Sequence, residues 1–328
     1  MDAVHTSILP WQRRERIIFA ALLLLTPLCL FAGLLWGSQP LSPDQLWRPD
    51  PLSRDILWTL RLPRVLTAFA VGGLLALAGA ILQTLLRNPL ADPYILGLSG
   101  GAALASLLAM LLGAAAPWQP MAGFLGALGT ALILFTLARS PQLLPEHLLL
   151  NGVMLAAALG AALALLLSIS PDAQLRGVLF WLMGDLSQSN AWPPALAMLA
   201  IGLAVALPLA RGLELLNLGE RHASALGLPV TALRWGLFAL TAALTATAVA
   251  VAGSIGFIGL LVPHLLRVLD ISSQRWLLAG AALLGGDLLI LADTLSRSIA
   301  APLQLPVGAV TALLGAPLFL YLLHRQRQ

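Results

Sequence analysis

Apolar residues run along this chain in stretches of about 20, from Ile17 to Leu323, and the short segments between them hold nearly all of the Arg, Asp, Glu and Pro. A stretch of that length crosses roughly 30 Å of hydrocarbon when coiled as a helix rising about 1.5 Å per residue. The pattern predicts ten spans, at about 17–37, 63–84, 95–115, 121–138, 147–169, 192–210, 231–251, 255–268, 276–296 and 306–323. Strands of a membrane barrel would instead alternate in polarity over about ten residues, a signal this sequence lacks. The expected fold class is all-α, a polytopic membrane bundle of about ten helices forming a single transmembrane domain over residues 1–328. The eighth span is short. Gly253, Gly256 and Gly259 surround its start and Pro263 lies within it. It is expected to be irregular and shielded by protein, because broken backbone against lipid leaves polar groups unpaired.

The connecting segments add detail. Arg13, Arg14 and Arg16 followed by Ile17–Leu35 have the outline of a signal peptide, but the apolar region is too long and Gly37-Ser38-Gln39-Pro40 is a poor cleavage context. It reads as a retained first span. Leu175–Leu182 reads as a short interfacial helix before Gly184. Loop 211–230 has a helix-forming centre and stops at Gly227 and Pro229, so a short helix is expected there. Small-residue runs around Gly72, Gly73, Gly79, Gly100 and Gly101 let helix backbones approach closely; they pack the bundle or line a path through it.

Composition agrees with the pattern: 59% of residues are hydrophobic and 10% charged, against about 25% charged in a soluble domain. All 18 basic residues are arginine, set singly or in small groups at the ends of apolar runs, with no basic stripe for a nucleic acid. Placing the N-terminus in the cytoplasm puts twelve arginines inside and six outside, so both termini are expected to be cytoplasmic. Without lysine the chain has no Walker A site, and ATP, if used, binds another subunit. The five histidines, His5, His147, His222, His264 and His324, fall in separate segments with no metal-ligand spacing, and His264 is expected to hydrogen-bond to a neighbouring helix or loop. Lone Cys29 reads as a small buried hydrophobe. No enzyme chemistry is predicted.

A few polar residues remain as candidates. Asp287 lies mid-span, where a carboxylate is costly unless paired, hydrated or protonated; it pairs structurally, lines a path or couples protons. Proton coupling through Asp287 in a secondary transporter is the alternative function. Arg61 and Arg64 bracket Leu62-Pro63 at the outer start of the second span, and Arg297 sits at the outer end of the ninth. They read either as lipid-head anchors or as bidentate donors to carboxylates of a docking protein.

Six patches, in order along nearly the whole chain, resemble the FecCD-type permease family, the membrane subunits of binding-protein-dependent, ATP-driven importers for vitamin B12, ferric siderophores and haem. They are Leu-Arg-Leu-Pro-Arg at 60–64, Arg-Asn-Pro-Leu-Ala-Asp-Pro-Tyr-Ile-Leu-Gly-Leu-Ser-Gly-Gly-Ala at 87–102, Trp-Leu-Met-Gly at 181–184, and the segments 218–229, 253–264 and 305–319. The resemblance implies a homodimer with a substrate path between the copies, two cytoplasmic ATPase subunits that hold ATP and magnesium, and a periplasmic binding protein. It implies no cofactor on this chain and a place in the bacterial inner membrane. By the same analogy Arg61, Arg64 and Arg297 meet acidic groups on the binding protein. Loop 211–230 becomes the coupling loop, with Gly219, Glu220, Ala225, Leu226 and Gly227 at the ATPase contact, and spans five and ten line the path. The wording at 92–101 leans toward a corrinoid or ferric siderophore over haem.

Overall fold

The structure, a computed structural model, describes residues 10–115, 118–137, 145–170, 172–187 and 191–325. His5 and Arg139 lie outside the described residues, which contain helices and no strand. In chain order the α-helices are α1 (Pro10–Leu35), α2 (Pro43–Trp47), α3 (Pro51–Asp55), α4 (Leu62–Leu85), α5 (Leu98–Leu111), α6 (Gln119–Leu137), α7 (Pro145–Ser168) and α8 (Asp172–Leu182). They continue as α9 (Trp192–Ala206), α10 (Ala210–Asn217), α11 (Glu220–Ala225), α12 (Val230–Ala252), α13 (Ile258–Val268), α14 (Gln274–Ser298) and α15 (Val307–Arg325). An apolar helix stands at each of the ten expected spans. Six are long enough to cross a membrane alone; α9, which bends by 60° into α10, and α5, α13 and the apolar part of α15 are shorter.

The bundle is built around α4. Its sequence is apolar or small on every side, so it is buried on every side, from Val65 through Leu85 with few breaks. Helix α14 runs antiparallel to it. Arg64 meets Asp293, Gly72 meets Gly285, and Thr84 meets Gln274, so numbers rise on one helix as they fall on the other. Backbones touch where the glycines face. A Cβ on Gly72 would lie 2.2 Å from the Gly285 carbonyl oxygen, and one on Gly79 would lie 1.9 Å from that of Gly259. These glycines therefore pack the bundle. Helix α1 lies parallel to α14, tied to it near residues 15 and 272, at Thr26 and Asp287, and at Gly33 and Arg297.

The N-terminus of α14 is capped by two distant carboxylates. Glu15 Oε1 accepts the backbone N–H of Ser272 (3.0 Å) and Ser273 (2.9 Å), and Glu214 Oε1 accepts that of Gln274 (3.1 Å). Negative charge at this end of a helix also suits its dipole. The first connecting loop departs from expectation: Pro51–Leu85 is one continuous helix, so the second span begins a dozen residues before position 63. The extension carries Arg54 and Asp55, and its polarity hides it from a hydropathy reading.

The eighth span is short and irregular, as its glycines and proline predict. Helix α13 has 11 residues, about 16 Å of rise, roughly half the hydrocarbon thickness. In the break before it, 253–257, Gly253 and Ile255 are buried and the other three residues are half-buried. Gly253 (φ +68°) ends α12, and Phe257 (φ +70°) opens α13. The Ile255 N–H donates to the Tyr94 hydroxyl at 2.9 Å, and the Asp185 N–H to the Ala252 carbonyl at 2.9 Å. Val307 N–H donates to the Gly184 carbonyl at 3.1 Å. The interruptions after α8, after α12 and before α15 thus satisfy one another at a single joint.

Candidate functional site

At one end of the bundle α4, α14 and the C-terminus of α1 enclose three arginines. A π-helical turn, Ile56–Arg61, runs directly into α4 and sets Arg61 and Arg64 about one turn apart. Arg64 donates to Asp293 Oδ1 from Nε (3.0 Å) and Nη2 (2.8 Å), while its Nη1 donates to Gln304 Oε1 at 2.8 Å. Arg297 holds the other oxygen, Oδ2, through Nε at 2.9 Å. Arg61 has no carboxylate partner among the described residues. It donates to the carbonyls of Leu34 (2.5 Å), Leu35 (2.8 Å) and Gln39, and Arg297 Nη2 reaches the Gly33 carbonyl at 3.3 Å. The carbonyls of Gly33, Leu34 and Leu35 close α1 and have no partner within it, so the arginines serve as its C-terminal cap.

Arg61, Arg64 and Arg297 are 5%, 9% and 5% exposed, so in this conformation they turn inward and do not stand free at the surface. The cause is Asp293, which is itself buried and draws two of them in, together with the open end of α1. Two guanidiniums share one buried carboxylate, and the third, Arg61, lies beside them on the end of α1. Asp293 was the partner that sequence reading left unassigned, although its position four residues before Arg297 is a spacing at which helical side chains meet.

The opposite end carries loop 211–230, folded into α10 and α11. Gly219 (φ +116°) and Gly227 (φ +81°) bracket α11, which sits on the body through buried Ala223. Glu220 accepts from Arg234 of α12 at 2.8 Å, fixing the start of α11. Ala225 and Gly227 are exposed, and Leu218 and Leu226 are 65% and 66% exposed. A short helix anchored on one side, polar along its free face and flanked at both ends by exposed leucines, is a surface made to be covered.

Asp287 lies in neither region. It is buried between α1 and α14, where Oδ2 accepts from the Thr26 hydroxyl at 3.1 Å and Oδ1 has no partner. Its one hydrogen bond ties two helices, the structural-pairing reading. Cys29 is buried, as expected. His264 departs from expectation: its Nε2 has no hydrogen-bond partner, and the ring packs edge-on against Phe319 with centroids 5.3 Å apart. The neighbouring surface of α15 is apolar and offers the ring no acceptor. Tyr94, whose hydroxyl supports the joint, gave no sign in the sequence.

Helices α7 and α15 stand at the edge of the chain with little of their surface covered. Leu150, Met154 and Leu165 of α7 and Leu313, Leu314 and Leu320 of α15 are all exposed.

Comparison with known proteins agrees with this architecture. The chain is 46% identical over 278 residues to the hemin transport system permease protein HmuU of Yersinia pestis, covering 82% of this chain and 83% of that one. It is 40% identical to the vitamin B12 import system permease protein BtuC of Vibrio cholerae, covering 96% and 95%, and 42% identical to the Fe(3+) dicitrate transport system permease protein FecD of Escherichia coli, covering 81% and 84%. Among solved structures it resembles an inward-facing metal-chelate type ABC transporter, with a TM-score of 0.87 and 35% identity over 94% of this chain and 99% of that one. Residues 23–325 match the FecCD transport family, and the chain belongs to it.

Proposed function

We propose that this chain is the permease subunit of an ATP-driven, binding-protein-dependent importer that moves a metal chelate of the haem, corrinoid or ferric siderophore kind across the bacterial inner membrane. The observation that carries the reading is the anchored α10–α11 loop with its uncovered Leu218 and Leu226, in a chain of this family. Two cytoplasmic ATPase subunits cover that loop and hold ATP and magnesium, since a lysine-free chain has no Walker A site. Both termini are cytoplasmic, which places the arginine end outside, in keeping with the arginine count by side. A second copy covers α7 and α15, and the chelate passes between the two. Their leucine faces suit a large cargo with an apolar rim.

A periplasmic delivery protein meets the arginine end. Support comes from the buried cluster itself, three guanidiniums with one carboxylate, which favours an acidic partner. Direct pairing of its carboxylates with Arg64 or Arg297 requires exchange with Asp293, because both side chains are buried against it. Proton coupling through Asp287 has no geometric support, since that residue is enclosed between α1 and α14.

The test is reconstitution of the chain with its ATPase and delivery protein in liposomes. ATP-dependent uptake of the chelate is expected. Replacing Leu218 and Leu226 together by Asp should leave the chain folded, since both side chains are exposed, and should remove ATPase association and at least about tenfold of the uptake. Accumulation driven by a pH gradient in liposomes holding the chain alone would overturn the proposal.

A further inference from the structure

Beside the capped N-terminus of α14 lies a cleft of about 510 Å3. It is lined from α1 by Glu15 and Arg16, from α10 by Glu214, and from the start of α14 by Arg275 and Trp276. Oε1 of each glutamate is spent on capping backbone N–H groups. The second oxygen of Glu15 is not: Oε2 is buried, the residue is 1% exposed, and no hydrogen-bond donor reaches it. A buried carboxylate oxygen without a donor is costly and calls for one. Arg16 and Arg275 supply the opposite charge on the same cleft; both are exposed, with no carboxylate in ion-pair range among the described residues.

Several occupants fail on this chemistry. The described residues contain no group of three or more His, Cys, Asp or Glu side chains able to hold a metal ion, and the two arginines on the same cleft oppose a cation there. A simple anion would face both glutamates. A zwitterion with an ammonium and a phosphate a few bonds apart offers each pair of like charges in the cleft an opposite one. The position of the cleft identifies its source. The apolar run of α1 begins at Ile17, just past Arg16, and Trp276 packs on Phe19 with ring centroids 4.9 Å apart. Tryptophan beside the first apolar residues of two spans marks the boundary where lipid headgroups lie.

We infer that this cleft binds the headgroup of phosphatidylethanolamine, with the ammonium on Glu15 and Glu214 and the phosphate on Arg16 and Arg275. A choline headgroup has no N–H to give Glu15 Oε2, and a glycerol headgroup has no cation, so the site discriminates among common lipids. This inference is independent of the chain's cargo and partners.

Native mass spectrometry of the purified full chain in detergent, offered equal amounts of the ethanolamine, choline and glycerol phospholipids with palmitoyl and oleoyl chains, provides the test. Wild type is expected to retain the ethanolamine lipid about tenfold over the other two. Glu15→Gln keeps the Oε1 acceptor for the cap and should lose the preference for ethanolamine over glycerol lipid. Arg16→Ala with Arg275→Ala, both on exposed side chains that take no part in capping, should lose retention of both. Equal retention of the three lipids by folded wild type overturns the inference. So does displacement of bound lipid by millimolar glycerophosphoethanolamine, which would make the occupant a soluble zwitterion. Loss of ATPase association in Glu15→Gln with an unchanged lipid ratio would assign the cleft to a basic side chain of that partner, and overturn it equally.

Discussion

Asp293→Ala is expected to lose roughly 3–5 kcal/mol of stability, the cost of leaving buried charges without their partner. Asp293 takes two donors from Arg64 and one from Arg297. Without it two buried guanidiniums face each other across the α4–α14 contact, with only Gln304 and carbonyl oxygens to accept from them. A lower unfolding temperature of the purified chain, or its loss from the membrane, is the measurement. Asp293→Asn keeps an acceptor of the same shape and should fall between wild type and Ala. Pairing Asp293→Ala with Arg297→Met removes one of the stranded cations and should recover part of the loss, because residues in one ion-pair network do not add independently. An Asp293→Ala chain as stable as wild type would show that solvent or lipid, and not the carboxylate, satisfies these arginines.

Gly253→Ala should be nearly as severe, for a different reason. The backbone there has φ +68° and ψ −153°, a region essentially confined to glycine and costing about 1–3 kcal/mol for other residues. Space is also missing: a Cβ would stand 2.0 Å from the Trp181 carbonyl oxygen, a backbone atom that cannot swing aside. The substitution forces apart α8 and the end of α12, and with them the hydrogen bonds from Asp185 to Ala252 and from Ile255 to Tyr94. Reconstituted uptake should fall by at least about tenfold, together with thermal stability. Gly236→Ala is the control. It lies on the same helix with nothing within 4 Å of its Cβ, and it should be neutral or slightly stabilising, by up to about 1 kcal/mol. If both alanines behave alike, the joint is softer than its geometry indicates.

Both residues show where reading the chain succeeds and where it stops. The ten spans are legible because each is a local run of apolar residues, and the folded loop 211–230 is legible because Gly219, Gly227 and Pro229 punctuate it within a few positions. The glycines around 253–259 announce an interruption. What closes it comes from Tyr94, Trp181 and Gly184, far away in sequence. The arginine end is half legible in the same way. That Arg61, Arg64 and Arg297 belong together at one end follows from span order, but Asp293 lies 229 residues from Arg64, and nothing local says that the guanidiniums turn inward. The pairing of Thr26 with Asp287 and the capping of α14 by Glu15 are long-range for the same reason. Hydropathy orders the spans; it does not say which polar atom on one finds which on another.

The parallel pair α1 and α14 is fastened at both ends and the middle, by Glu15 to Ser272 and Ser273, Thr26 to Asp287, and Gly33 to Arg297. A pair held at three heights cannot shear, so it behaves as a strut. Glu214 joins α10 to the foot of that strut, at the Gln274 N–H. Under the proposed coupling role, a push received at loop 211–230 would reach the arginine end as a tilt of the whole strut, some 40 Å tall by its helical rise, so that a small rotation at one membrane face becomes a displacement at the other.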